Sequence, residues 1–196
     1  ASLTNGSITV KADSNHAPLL SAGYETFRCD LSFWNAEGEL LFREYPQGGS
    51  LLLKARDYTP VSGESFAVTT SFSADPKERL YGMGEYQQDV LDLKGSTFEL
   101  AHRNSQASVP FVVSSKGYGF LWHNPAIGRA TFGRNRTEWA AQSTDQIDYW
   151  VTAGDSYAQI ESQYADATGH APVMPEWGMG FWQCKLRYWN QEQLLD

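Results

Sequence analysis

The sequence predicts a mainly β protein, an antiparallel β-sandwich followed by the first strand and helix of an α/β unit. Three observations predict it. Up to about residue 155, apolar and polar residues alternate in short segments, the pattern of a strand with one buried face. Turn signals separate those segments every ~8–12 residues, with no helical period. After Gly154 the pattern changes to one helical stretch, a proline-marked linker and a glycine-bracketed apolar run.

The elements follow in order. Ser7 to Asp13 ("SITVKAD") alternates as a half-buried strand does. "DLSFWNAEGELLFREY" reads as a hairpin, with Leu31, Phe33, Leu40 and Phe42 flanking the turn residues Asn35-Ala36-Glu37-Gly38. "FAVTTSFSA" and "STFELAH" supply two more strands. The clearest hairpin joins Val109–Val113 to Tyr118–Trp122 through Ser115-Lys116-Gly117. "RATFGRN", "RTEWAAQS" and "QIDYWVTAG" complete the series. Tyr157, Ile160, Tyr164 and Ala165 then recur at helical spacing behind an N-cap at Asp155 or Ser156, with Gly169 as the stop. Pro172 and Pro175 mark a linker. "WGMGFWQ" does not alternate, which suits a strand buried on both faces. Asn190 and Gln193 form a capping pair for a helix starting at "QEQLLD". The expected division is a sandwich over 1–154, a connecting helix and linker over 155–174, and a β–α unit over 175–196. One such unit cannot bury itself, so the chain reads as the front of a longer protein.

Composition narrows the function classes. The chain has 196 residues and a formal net charge of −8. Its Lys and Arg are scattered, which excludes a nucleic-acid binder, because phosphate contacts need clustered cations. No stretch approaches the ~20 apolar residues of a membrane helix, and the N-terminus shows no basic-then-apolar leader. Compartment stays open. Cys29 and Cys184 do not make a disulfide framework. Asn5-Gly6-Ser7 and Asn135-Arg136-Thr137 are glycosylation triplets only if the protein is secreted. His16, His102, His123 and His170 share no metal-type spacing, and no Gly-x-Ser-x-Gly elbow is present. No cofactor or metal is implied.

The motifs carry little chemistry by themselves. Gly82-Met83-Gly84 lacks the strand–helix crossover and the cation of a phosphate loop, and reads as a tight turn where the backbone passes close to another element. His102-Arg103-Asn104-Ser105-Gln106 precedes a strong strand. Its amides suit sugar hydroxyls by offering donor and acceptor together, and equally suit a solvated loop. Asp89, Asp92 and Glu99 are acids of the right type for glycoside hydrolysis, but nothing in the sequence pairs them.

"YGMGEYQ", "NSQASVPFVVSSKGYGFLWHN" and "PEWGMGFWQCKLRY", taken in register over Tyr81 to Tyr188, resemble the N-terminal half of glycoside hydrolase family 31. "GFWQCKLRY" is most similar to the α-xylosidase-like members, with α-glucosidases second. The resemblance implies a galactose-mutarotase-like sandwich ahead of a truncated (β/α)8 barrel, in a retaining, exo-acting α-glycosidase. Its substrate would be an oligosaccharide with a terminal α-xylosyl or α-glucosyl residue. The family's nucleophile and acid/base are aspartates on later barrel strands, so no catalytic residue is assigned here and the chain alone is expected to be inactive. By resemblance, Tyr188 stands near the cleaved sugar, and Asn104 and Gln106 lie on a sandwich loop that reaches over the barrel mouth. Trp182 is expected in the core. Two rival readings are a free-standing carbohydrate-binding sandwich and a scaffold for a homo-oligomer of the full-length enzyme.

Overall fold

The structure, a computed structural model, describes residues 2–5, 8–16, 27–46, 54–182, 187 and 189–195. Among these, thirteen strands form three antiparallel sheets. The N-terminal sheet runs β1 (Ser2–Asn5), β2 (Ile8–His16), β3 (Phe27–Trp34), β4 (Leu40–Arg43). A five-stranded sheet has the order β5 (Arg56–Ser62), β6 (Ser65–Ser73), β12 (Arg136–Thr144), β11 (Gly128–Phe132), β8 (Thr97–Leu100). A four-stranded sheet has the order β13 (Tyr149–Ala153), β10 (Tyr118–Trp122), β9 (Ala107–Ser114), β7 (Leu80–Glu85). The expected hairpins are present: Phe33 pairs with Phe42, and Tyr118 with Ser114.

Alternation buries one face of each sheet, and those faces enclose one core. It is an aromatic column. Phe42 stacks on Phe33 at 4.4 Å and meets Phe72 edge-on at 5.3 Å. Phe120 stacks on Trp139 at 5.1 Å, and Trp122 and Trp139 are wholly buried. Such ring pairs add about 0.5–1.5 kcal/mol each beyond their buried area.

The chain passes from sheet to sheet at Glu44. β4 pairs with β3 as far as Arg43, and Glu44 N still donates to Leu31 O (2.8 Å). Glu44 also bridges to Phe72 of β6, and Tyr45 N donates to Ser71 O (2.8 Å). The switch points the Glu44 side chain inward, where it is 1% exposed. Leu31 N donates to the carboxylate at 2.8 Å, and the Arg56 guanidinium lies 2.9 Å from Oε1 and 3.2 Å from Oε2. Burial outweighs both partners and pushes the Glu44 carboxyl above its ordinary value of 4.5.

Three strands escape the sequence pattern. β1 is short, and β5 is a polar edge strand carrying Pro60, a residue that sheets admit at their edges. β7 holds the segment read as a tight turn. It is instead a bulged strand with three successive positive φ values, at Gly82 (120°), Met83 (75°) and Gly84 (87°). The close approach expected there is real: a Cβ on Gly82 would lie 2.5 Å from Phe111 O.

Helix α1 (Tyr157–Thr168) begins at Ser156, whose hydroxyl accepts from Gln159 N at 3.2 Å, and ends at Gly169 in a positive-φ cap. It covers the outer face of the four-stranded sheet. Ile160 is fully buried against Phe111 and Val113, and Tyr164 stacks on Phe111 at 4.1 Å. Gly119 of β10 permits this seat, since a Cβ there would lie 2.7 Å from Ile160 Cγ2.

The expected barrel strand is corrected. Glu176–Met179 is a 3-10 helix, with Gly178 N donating to Pro175 O (2.8 Å). A strand buried on both faces needs a ladder on each side. Among the described residues no strand runs beside 176–182, so the segment closes local bonds instead. Trp177, Phe181 and Trp182 are 82%, 90% and 72% exposed, so Trp182 is not core; its indole N–H donates to Gly178 O at 2.8 Å. The capping pair does form before α2 (Glu192–Leu195). Gln193 N donates to Asn190 Oδ1 at 3.0 Å, and Trp189 N donates to Gln193 Oε1 at 2.9 Å.

Two outcomes are expected. Gly82→Ala loses roughly 2–3 kcal/mol of unfolding free energy in denaturant titration, because the new methyl meets backbone and φ is positive. Between 4.5 and its raised native value, Glu44 holds a proton only in the folded state. Its contribution is therefore present below 4.5 and is lost as pH rises through the native value. Denaturant midpoints against pH should show that fall, and Glu44→Gln should flatten it.

Candidate functional site

The connection from β8 to β9 crosses between sheets, from the edge of the five-stranded sheet to the interior of the four-stranded one. No ladder joins the two strands, so the turn over residues 101–106 must be held by other bonds. Gln106 N donates to Arg103 O at 3.2 Å, and Ser105 at the bend has φ 65°. Gln106 Nε2 donates to Ala101 O at 3.3 Å. Ser108 N donates to His102 Nδ1 at 3.3 Å, which places that ring's proton on Nε2 when neutral.

The acid beside the turn is committed too. Arg103 forks onto Glu99, Nε to Oε2 at 2.6 Å and Nη2 to Oε1 at 2.7 Å. That fork holds the Glu99 carboxyl below its ordinary range, so it stays an anion and is no general acid. Asp92 Oδ1 accepts from Leu80 N (3.3 Å) and Lys94 N (3.1 Å), a turn-forming role. Asp89 is exposed.

What the turn presents is therefore Asn104. It is exposed at the tip, and among the described residues its amide has no protein partner. Gln106 is half-buried and spends its amide nitrogen inside the turn, on Ala101 O. Tyr188, the third residue expected at a sugar site, lies outside the described residues.

Beside the turn runs a cleft of about 660 Å³, lined among others by His102, Ser108, Leu121, His123, Asn124 and Tyr164. Asn124 is occupied, donating to Thr144 Oγ1 (3.0 Å) and accepting from Ala126 N (3.0 Å). Among the described residues no group of three His, Cys, Asp or Glu side chains converges as a metal set. The arrangement can offer neutral donors and acceptors to hydroxyl groups; it holds no nucleophile and no acid pair.

One group escaped sequence reasoning. The Tyr86 hydroxyl lies 2.8 Å from Glu99 O, to which it donates, and 2.6 Å from Ser108 Oγ. Its segment, "YGMGEYQ", carries part of the family resemblance, but no local pattern singles out this tyrosine.

Comparison with known proteins agrees in one direction. Residues 2–129 match the glycosyl hydrolase 31 N-terminal galactose mutarotase-like domain. The chain is 49% identical over 183 residues to an uncharacterized family 31 glucosidase of Pseudescherichia vulneris, covering 85% of this chain and 35% of that protein. It is 38% identical to alpha-xylosidase A of Aspergillus niger, over 89% of this chain and 24% of that one. A crystal structure of a GH31 alpha-xylosidase from a soil metagenome, complexed with xylose, superimposes with a TM-score of 0.82 at 43% identity. It spans 98% of this chain and 29% of that one. The chain thus spans about a quarter to a third of the length of these relatives.

Because the Asn104 side chain supports nothing in the fold, Asn104→Ala should leave the unfolding free energy within about 0.5 kcal/mol of the parent in thermal melts.

Proposed function

This chain belongs to glycoside hydrolase family 31, and from that premise we propose that it is the N-terminal part of a retaining, exo-acting α-glycosidase that releases terminal α-linked xylosyl residues. The observation that carries the sugar is the 43% identity, over 98% of the chain, to an alpha-xylosidase complexed with xylose. The 49% identical relative named a glucosidase keeps terminal α-glucosyl as the second reading.

In this reading the sandwich does no bond-making. One carboxylate attacks the anomeric carbon while a second carboxylic acid protonates the leaving oxygen, and water then releases the glycosyl–enzyme. Both acids lie downstream of Asp196, on strands of a (β/α)8 barrel. The exposed Trp177, Phe181 and Trp182 support that arrangement, since apolar groups so open to water call for a covering domain. They count against a free-standing carbohydrate-binding sandwich. Asn104 and Gln106 would offer amide groups to the bound oligosaccharide, and Tyr188 would stand near the cleaved sugar. No cofactor is required.

The test compares hydrolysis of p-nitrophenyl α-xyloside and α-glucoside by this chain and by a polypeptide continuing through the barrel. The expected result is a silent short chain and a long one that prefers xyloside. Preference for glucoside would replace the sugar. Turnover by the short chain would overturn the division of labour.

A further inference from the structure

We propose that Tyr86 is the positioning residue of the Asn104 turn, a clamp across the two sheets that sets where the turn meets the sugar. The inference rests on the reading of Asn104 as a sugar contact. The stem of the turn has no backbone ladder, because β8 and β9 belong to different sheets. Below the turn, a hydrogen-bond chain spans that gap. Ser108 of β9 meets the Tyr86 hydroxyl, and the Tyr86 hydroxyl donates to the backbone carbonyl of Glu99 in β8.

Both ends of the chain run on into the turn. Ser108 N donates to His102, and the Glu99 carboxylate holds Arg103, the residue before Asn104. A shift at Tyr86 is thus passed to His102 and Arg103, the two residues that lead into Asn104. Tyr86 itself is fixed from behind. Its ring packs edge-on against buried Phe98 at 4.9 Å, and it follows directly on β7, whose bulge at Gly82–Gly84 is pressed onto the β9 backbone. The polar end of a seated ring is a short, stiff link.

Tyr86→Phe keeps the ring on Phe98 and removes only the hydroxyl; Ser108→Ala cuts the same chain from the other side. In the barrel-containing enzyme, each should raise KM for its α-glycoside by roughly five- to tenfold with kcat nearly unchanged, matching Asn104→Ala. Neither should add to Asn104→Ala in a double-mutant cycle, because all three act at one contact. Amide exchange at Gln106 and Ser108 should quicken in Tyr86→Phe.

If Asn104→Ala raises KM while Tyr86→Phe and Ser108→Ala do not, the clamp is refuted and the sugar contact stands. If Tyr86→Phe lowers kcat or adds in full to Asn104→Ala, the tyrosine serves the fold alone and the proposal fails. If Asn104→Ala is without effect, the sugar contact falls and the clamp with it.

Discussion

The architecture hangs on a strand that changes partners in mid-course. After Arg43 the chain leaves β3 for β6, and the residue at the change is a glutamate facing inward. A carboxylate in that place is costly to ionise, and its two partners only partly offset the desolvation. The benefit is connectivity. Through Glu44 one residue touches β3, β5 and β6, so the N-terminal sheet cannot drift from the five-stranded one. The rings of Phe33, Phe42 and Phe72 pack together across the same joint, one pair stacked and one edge-on.

How much of this the sequence disclosed depends on the range of the cause. Strands set by local pattern, β6 by its alternation and β9 and β10 by the turn between them, were legible, and so were the Ser156 cap and the Asn190–Gln193 pair, whose partners lie three residues apart. β5 was not, because an edge strand owes its place to its neighbour and not to its own pattern. Trp177–Trp182 was misread for the converse reason: apolar content fixes a wish to be buried but not a conformation, and with no adjoining strand among the described residues the stretch closes local bonds.

The candidate site divides along the same line. Amides clustered ahead of a strong strand pointed to Asn104 and Gln106, though only the coordinates distinguish the free tip from the residue spent on the turn's own bond. Tyr86 is 13 residues from Glu99 and 22 from Ser108. Its partners are chosen by sheet topology, so no local pattern could have announced them.

The seat of α1 on β10 has a mechanical consequence. At Gly119 the helix lies against bare backbone, with Ile160 filling the space a side chain would take and Tyr164 stacked beside it. A helix keyed in this way cannot roll or slide without losing its seat. The chain therefore leaves the sandwich from a fixed place at Gly169, and that place is set by the packing of one glycine.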